Sequence, residues 1–395
     1  MRTVRRLLTA CALVPLGLAM TGQAAAAGPA GTRGFAAISG SGSFYTSAAF
    51  NAWTFAVRPR GMVVNYNPDG SAAGEADYAA NQDDFADSDV AFRTSRDKLA
   101  GLPPQHVPVG FSYVPGPAGA TALPYHLSVH GHLITNLKLS GRTVMQIFTG
   151  QITNWDDPRI TRDYGHRLPS LPIIPVIQSD LAGTTFVLTD WMATLFTAQW
   201  NAFCGRVHPG LKPPCGPTEI YPPFGNAEAE KGPQDVMTFI TSRFGQGAIG
   251  YVENPYTLNS HYPVLALGNA GGGYALPTVA HVTTALTHVI IVENPHSKGF
   301  LQQDLRNVFR SKDPHTYPLS SYSYLIVPRI GTRLPANFTR AKGRTLSAFL
   351  SYALCRGQRS LAGLGYAPLT PNLAKGGLQQ AANIPGHVAV PSRCK

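Results

Sequence analysis

One stretch of the chain, residues 171–196, combines a short strand, a small polar turn and a helix. The apolar run Ile173–Ile177 predicts a buried strand, and Pro175 inside it predicts an edge position or a bulge. From Thr184 onward, apolar residues recur at helical spacing: Leu188, Met192 and Leu195. A helix that begins directly after such a turn offers unpaired backbone N–H groups and the positive end of its dipole. The stretch therefore predicts an α/β unit whose turn attracts an anion.

Similar turns occur three times earlier in the chain. Strands are predicted at Phe35–Ile38 and Met62–Tyr66, and each is followed by a turn rich in small residues and then by a helix. A further short strand, interleaved with acidic residues, is predicted within 84–92. The chain thus carries four strand-to-turn units that are suited to hold polar ligand groups.

Helices and short strands continue to alternate along the rest of the chain. Helices are predicted after Ser140, from Pro233, around Leu301–Phe309 and around Leu346–Leu354, and strands at Gly247–Val252, Val289–Val292 and Tyr322–Val327. This alternation is typical of an α/β protein with largely parallel or mixed sheets.

The N-terminus predicts export. Arginines precede an apolar run, and alanines at 24–27 offer a cleavage site, so residues 1–27 are predicted to be a secretory signal peptide. No second long apolar segment follows, so no membrane span is expected after processing. The formal net charge is +11, and removal of the signal peptide takes away three arginines. The remaining positive charge suits an anionic ligand, and equally an ordinary solvated surface.

Four cysteines remain after the signal peptide. An even number in an exported chain predicts disulfides, and among the three connectivities the local pairings Cys204 to Cys215 and Cys355 to Cys394 are favoured. A zinc site is the weaker interpretation, because no pair has the close spacing of zinc ligands.

Taken together, the four turns resemble those of PstS-like phosphate-binding proteins of ABC transporters, within the periplasmic binding protein superfamily. The resemblance lies in the loops 40–45, 70–71, 88–89 and 179–185, and the motifs 139–150, 152–158, 247–253 and 364–369 support it. It implies a two-lobed α/β fold with two crossover segments. Lobe 1 would comprise 34–116 plus 278–395, and lobe 2 would comprise 117–277.

The resemblance also implies a binding site. Phe44 and Tyr45 would offer backbone N–H groups, Ser71 and Thr184 hydroxyls, and Gly183 a close backbone approach. Asp89 would accept a hydrogen bond from a protonated phosphate oxygen and so reject sulfate.

The fourth loop departs from the family pattern. The family usually has arginine where this chain has Gln178. A neutral amide recovers only part of the charge-assisted, bidentate hydrogen bonding that a guanidinium offers to an anion. Asp180 would lose the partner it has in the family. Arg93 and Arg96 are candidates for a replacement charge.

The sequence offers no motif for catalysis. A G-x-S-x-G elbow, an H-E-x-x-H motif and a Walker loop are all missing from it, so no enzymatic activity and no cofactor are expected. His126, His130 and His132 have no acidic or thiol partner at ligand spacing, which favours a solvated turn over a metal site.

The sequence therefore predicts a secreted, monomeric solute-binding protein that captures inorganic phosphate or a related oxyanion for the membrane permease of an ABC transporter, without binding nucleic acid. The alternative is a binding protein of the same fold with a changed or lost ligand, acting as an extracellular interaction protein.

Overall fold

The computed structural model describes residues 34–394, so the predicted signal peptide lies outside the described residues. Sixteen strands are described in this part of the chain: β1 Ile38–Gly42, β2 Val64–Pro68, β3 Phe85–Ser88, β4 Phe111–Ala122, β5 Ser128–Val129, β6 His132–Leu133, β7 Lys138–Leu139, β8 Ile174–Gln178, β9 Glu228–Glu230, β10 Ala248–Gly250, β11 Val252–Glu253, β12 Ala266–Gly268, β13 Tyr274–Ala275, β14 Ile290–Ile291, β15 Gln303–Asp304 and β16 Ser320–Pro328.

The same residues form twelve α-helices: α1 Ser47–Val57, α2 Ser71–Ala79, α3 Gly141–Phe148, α4 Pro158–Tyr164, α5 Gly183–Leu195, α6 Thr197–Val207, α7 Gly232–Thr241, α8 Asn254–Ser260, α9 Val279–Leu286, α10 Arg306–Phe309, α11 Arg340–Leu354 and α12 Pro371–Ala381. Short 3-10 turns complete the helical structure: Phe44–Thr46, Arg58–Arg60, Arg356–Ser360 and Ala362–Leu364. Every helix within residues 34–394 is too short or too polar to span a bilayer.

The larger sheet has six strands in the order β11-β4-β16-β3-β1-β2. Strand β1 pairs in parallel with β2 and β3, whereas β16 runs antiparallel to both β3 and β4. The sheet is therefore mixed, as the alternation of helices and strands predicts. Its parallel part brings the C-terminal ends of β1, β2 and β3 to one edge, where the first three predicted turns begin.

A second group of sheets is built from the middle of the chain. Strand β8 lies between β10 and β9 and is parallel to both, and β12 pairs with β7 and β13 in a separate sheet. Tyr251 alone separates β10 from β11, so the chain passes there from the smaller sheet to the six-stranded one. The fold is the two-lobed α/β architecture that the resemblance implies.

Capping side chains mark the starts of two helices. The Ser140 hydroxyl accepts a hydrogen bond from the Thr143 N–H at the start of α3, and the Thr339 side chain caps α11 in the same way through Lys342. The apolar face of α11 then packs on α1, where Trp53 and Phe349 meet with ring centroids 6.3 Å apart. These contacts fix α1, and with it the loop that precedes it.

The position predicted for Pro175 is wrong. Strand β8 is central in its sheet rather than at an edge, with Pro175 opposite Ile249 of β10. The Ile174 N–H donates to the Gly247 carbonyl on the β10 side, so alternation turns the Pro175 nitrogen toward β9. Pairing with β9 begins only at Val176, and the missing N–H of proline therefore removes no ladder hydrogen bond.

The helix predicted around Leu301–Phe309 is much shorter than expected. Leu301 has a positive φ of 70°, and strand β15 follows it, so only Arg306–Phe309 is helical. The side chains of Leu301, Leu305, Val308 and Phe309 are all buried. These four residues are spaced like one face of a helix because each is buried in the core. They do not belong to one continuous helix.

The predicted disulfides are confirmed. Cys204 is bonded to Cys215 and Cys355 to Cys394, with 11 and 39 residues of sequence separation. The second bond ties the last described residues to the end of α11.

Candidate functional site

Three helical N-termini meet at Asp89. The Ser43 hydroxyl, just before the first 3-10 turn, donates to Asp89 Oδ1 at 2.7 Å. The Asp89 N–H donates to Ser71 Oγ, at the first residue of α2, at 3.1 Å. Gly183, the first residue of α5, packs directly on the Asp89 side chain. Because the first N–H groups of each helix lack intrahelical partners, three positive dipole ends surround one point.

Gly183 is required for this close approach. A Cβ built on Gly183 would lie 2.2 Å from Asp89 Cβ and 2.5 Å from its Oδ2. Asp89 follows β3 of the six-stranded sheet, whereas α5 follows β8 of the smaller sheet. Glycine therefore allows the two lobes to meet across the site.

The two predicted hydroxyl donors line the same site. Ser71 Oγ accepts from the Asp89 N–H, and Thr184 Oγ1 accepts from Gln178 Nε2 at 3.0 Å. Since a hydroxyl both accepts and donates, each retains a proton that it can offer to a ligand.

Tyr45, in the first loop, contributes less to the site than predicted. The Tyr45 N–H donates to Ser43 Oγ at 2.9 Å, and its buried side chain donates to the Ser321 carbonyl. The Phe44 ring lies 3.7 Å from the point where Gly70 would carry a Cβ. Phe44 therefore stands at the site with Ser71, Asp89, Gln178, Gly183 and Thr184, while the Tyr45 side chain is directed into the core.

Gln178 is held from two sides. It is 1% exposed, and its Nε2 donates to Thr184 Oγ1 and, at 3.3 Å, to the Tyr251 carbonyl. Its Oε1 has no hydrogen-bond partner among the described residues. The amide thus supplies its donors to the protein rather than to the site, and it leaves an acceptor unused.

The candidate replacement charges are engaged by other groups of the protein. The Arg93 guanidinium forms an ion pair with Glu219 and donates to the Pro103 carbonyl, and Arg96 donates to the Gly101 carbonyl. Both line a cavity of about 680 Å³ that also borders Asp89. Asp180, which lacks the arginine partner of the family, accepts instead from the Gly232 N–H at 2.8 Å.

Burial dominates the electrostatics of the site. It raises the pKa of Asp89 to about 7, and the Ser43 and Ser71 hydroxyls offset only part of this shift. Burial also raises the pKa of Glu253 well above its usual range, and the Asp89 carboxylate raises it further. The pKa of Asp87 is also raised, mainly by burial and next by the charge of Asp89. Burial therefore shifts all three carboxyl groups toward their protonated forms.

Two residues at the site escaped the sequence analysis. Ser43 lies inside the first loop and Glu253 inside the motif 247–253, so both were within stretches that carried the resemblance. Neither position has a spacing that distinguishes it from its neighbours. The hydrogen bond from Ser43 to Asp89, and the effect of the Asp89 charge on the pKa of Glu253, identify them only in three dimensions.

The remaining candidates lie elsewhere. His126 Nδ1 is 2.8 Å from the Ile240 carbonyl. His130 lies in the turn between β5 and β6 and His132 begins β6, and both are exposed. Within residues 34–394, no group of three or more metal-binding side chains comes together. Trp155 and Trp191 are buried core residues.

Comparison with known proteins places this geometry in a family. Residues 22–356 match the PBP superfamily domain. The chain is 27% identical over 322 residues to the phosphate-binding protein PstS of Methanocaldococcus jannaschii, covering 80% of this chain and 77% of that protein. It is 29% identical over 382 residues to phosphate-binding protein PstS 3 of Mycobacterium tuberculosis, covering 93% and 91%.

Solved structures show the same fold. A high affinity periplasmic phosphate-binding protein, PfluDING, bound with phosphate, superposes with a TM-score of 0.63 at 18% identity, covering 86% of this chain and 92% of that one. A phosphate-binding protein from Stenotrophomonas maltophilia gives a TM-score of 0.57 at 15% identity, covering 91% and 98%. The chain therefore belongs to the PBP superfamily of binding proteins. Within that superfamily it is a PstS-like protein.

Proposed function

We propose that this protein is an exported solute-binding protein that captures inorganic phosphate and delivers it to the membrane permease of an ABC transporter. The observation that carries the proposal is the convergence of three helical N-termini on the buried Asp89. Helical N-termini bind phosphate without any cationic side chain, because oriented N–H groups and the dipole both favour an anion. The PstS relatives are phosphate-binding proteins, which supports the same ligand.

Selectivity would come from Asp89. Its Oδ1 accepts from Ser43, and the remaining acceptor capacity suits a P–O–H group. Sulfate at neutral pH has no proton to donate, so a carboxylate at this place repels it. Ser71, Thr184, the Phe44 N–H and the first turn of α5 would donate to the other oxygens.

Ligand capture would close the two lobes. Asp89 belongs to one lobe and Gly183 to the other, so a ligand bonded to both stabilises the closed form. We propose lobe limits of 34–116 plus 278–395 and 117–277. The same proposal takes the chain as a monomer that performs no catalysis, binds no nucleic acid and acts outside the cytoplasm.

Titration calorimetry tests the phosphate proposal. Mature protein freed of bound phosphate is titrated with phosphate and with sulfate, and Asp89→Asn is measured beside it. We expect micromolar or tighter phosphate binding, no heat with sulfate, and much weaker phosphate binding in the variant. Absence of heat and of any thermal shift at millimolar phosphate would refute the proposal.

Delivery to a permease needs a separate test. Cells that lack this protein should lose phosphate uptake at low external phosphate and regain it with the wild-type chain but not with Asp89→Asn. Restoration by the variant would contradict a transport role.

A second candidate function follows from Gln178. The amide stands where the family usually has arginine, and the arginines 93 and 96 are engaged elsewhere. A protein of this fold with a changed or lost ligand, acting in extracellular interactions, is consistent with that loss of charge. Failure of phosphate binding in calorimetry, with the fold intact, would favour this candidate.

A further inference from the structure

The cavity beside Asp89 is much larger than a phosphate ion. Its volume is about 680 Å³, and Asp89 is part of its lining. Cavities of about 300 to 1,000 Å³ are typical sites for small organic ligands, whereas one water molecule occupies about 30 Å³ of liquid. A tetrahedral oxyanion at Asp89 would therefore fill only a small part of this space. The remaining volume is large enough for a substituent attached to that oxyanion.

The cavity has two walls that the protein holds together. The segment after β3 and the residues around β15 form one wall, and helix α5 and the loop after α6 form the other. The Thr218 hydroxyl of the second wall donates to Asp97 Oδ2 of the first at 2.8 Å. An ion pair between Arg93 and Glu219 joins the same two walls. These contacts give the cavity a defined shape.

The buried lining of the cavity suits carbon atoms. Its buried apolar side chains include Val90, Phe92, Val187, Leu305 and Tyr324. Besides Asp89, its buried carboxylates are those of Asp97 and Glu219, and both already accept hydrogen bonds from other residues of the protein. Because burial of apolar surface is favourable, such a lining favours an organic substituent over a second bare ion.

The exposed end of the cavity is basic. Arg96 and Lys98 belong to its lining, and both side chains are exposed. Arg96 donates to the Gly101 carbonyl at 3.2 Å, and Lys98 Nζ donates to the Pro214 carbonyl at 2.9 Å. Among the ion pairs of residues 34–394, none includes Arg96 or Lys98. Two cationic groups are therefore available to an anionic group of a ligand.

The other charged side chains of the cavity are less available. Arg306 is paired with Asp304, as Arg93 is with Glu219. Burial raises the pKa of Asp190 to about 6, and the Asp304 carboxylate raises it further. At pH 6 about half of the Asp190 carboxyl groups are consequently neutral.

We propose, on the basis of the phosphate function proposed above, that the cleft also admits phosphate monoesters, with the phosphoryl group at Asp89, the organic substituent in the cavity and a second anionic group at Arg96 and Lys98. In the monoanion of such an ester, one phosphoryl oxygen keeps a proton that it donates to Asp89. The ester oxygen then leads into the cavity. Inorganic phosphate uses the Asp89 end alone.

Calorimetry at pH 6 tests this inference, because phosphate monoesters lose their second proton with a pKa of about 6 and half of the molecules then carry a P–O–H group. The probes are inorganic phosphate, 3-phosphoglycerate and glycerol 3-phosphate. The two esters differ only in a carboxylate against a hydroxymethyl group. All three probes should bind and compete with one another. Two exposed ion pairs should make 3-phosphoglycerate bind about fivefold more tightly than glycerol 3-phosphate.

The double variant Arg96→Gln with Lys98→Gln removes the contacts proposed for the carboxylate. It should bind 3-phosphoglycerate about fivefold more weakly and lose the preference for it over glycerol 3-phosphate. Its affinity for inorganic phosphate should stay within about twofold of wild type at physiological ionic strength, where distant charges are screened. The matched control, Arg359→Gln with Lys375→Gln, removes two exposed cations outside the cavity and should leave all three affinities unchanged.

The outcomes separate this inference from the phosphate function. Binding of phosphate without binding of either ester at millimolar concentration would overturn the inference and leave the phosphate function intact. Esters that bind without competing with phosphate would overturn it as well, and so would equal weakening of all three probes in the cavity variant. Binding of the esters alone would refute capture of inorganic phosphate and retain the cavity as an ester site. Absence of binding for all three probes would overturn both.

Discussion

Replacing Gly183 by alanine adds one methyl group at the point where the two lobes meet. That Cβ would lie 2.2 Å from Asp89 Cβ and 2.5 Å from Asp89 Oδ2. Carbon atoms in contact are separated by about 3.5 to 4.0 Å, so Asp89 and the start of α5 would have to separate by more than about 1 Å. A ligand bonded to both could no longer reach both.

The magnitude follows from the hydrogen bonds that would be lost. One charge-assisted hydrogen bond contributes about 1.5 to 3 kcal/mol, and each 1.4 kcal/mol or so corresponds to tenfold in affinity. We therefore expect Gly183→Ala to weaken phosphate binding by about 10- to 150-fold. Since bound ligand stabilises the native state in proportion to its affinity, the stabilisation by added phosphate should shrink as well.

Calorimetry and thermal melts with and without phosphate measure both effects. Gly205→Ala is the matched control, because Gly205 is an exposed residue of α6 with no atom near the position of an added Cβ. Alanine there should leave affinity unchanged and stabilise the helix by up to about 1 kcal/mol. Wild-type affinity in Gly183→Ala would refute the placement of the ligand between Asp89 and α5.

Three further predictions concern stability and are measured by denaturant unfolding. Replacing Cys355 and Cys394 together by serine should lower the free energy of unfolding by about 3 to 4 kcal/mol, because 39 residues separate them; an unchanged value would show that the bond adds no constraint. Burial raises the pKa of Glu75 from 4.5 to about 8, so the native state binds a proton there that the unfolded state has lost. The free energy of unfolding should therefore fall by roughly 1 kcal/mol per pH unit as the pH rises from 4.5 to about 8. Glu75→Gln should flatten that decline, and an equally steep decline in the variant would contradict the raised pKa of Glu75. Lys342→Met removes the partner of the buried Asp84 carboxylate, 2.8 Å away, and should cost about 3 kcal/mol; a loss below about 1 kcal/mol would show that Asp84 is solvated instead.

Much of the fold was predictable because local signals agreed with it. The strand, turn and helix around 171–196 are present at Ile174–Gln178 and Gly183–Leu195, and the helix after Ser140 begins at the expected cap. In these stretches periodicity, capping and turn residues all favour the same structure.

Strand β4 shows why other elements were missed. Phe111–Ala122 is the longest strand among the described residues, yet it contains Pro115, Gly116, Pro117 and Gly119, which usually indicate turns. Its partner β16 shifts register between Tyr322 and Tyr324, opposite the prolines, and this irregularity accommodates the missing N–H groups. Such compensation by a strand some 200 residues away has no local signal.

The site was predictable in part for a similar reason. Ser71, Asp89 and Thr184 stand in turns whose composition indicates ligand binding, and the structure brings them together. Ser43 is marked by its hydrogen bond to Asp89, and Glu253 by its burial and the nearby charge of Asp89, neither of which the sequence encodes locally. The engagement of Arg93 by Glu219 likewise depends on 126 residues of sequence separation.

The most direct test of the account is to locate the oxyanion itself. Crystals of the mature protein grown with arsenate, whose anomalous scattering marks the position of a phosphate analogue, should show one strong site. We predict a peak within hydrogen-bond distance of the Asp89 carboxylate, the Ser71 and Thr184 hydroxyls and the first turn of α5. A peak elsewhere in a closed protein, or an empty cleft at millimolar arsenate, would contradict it.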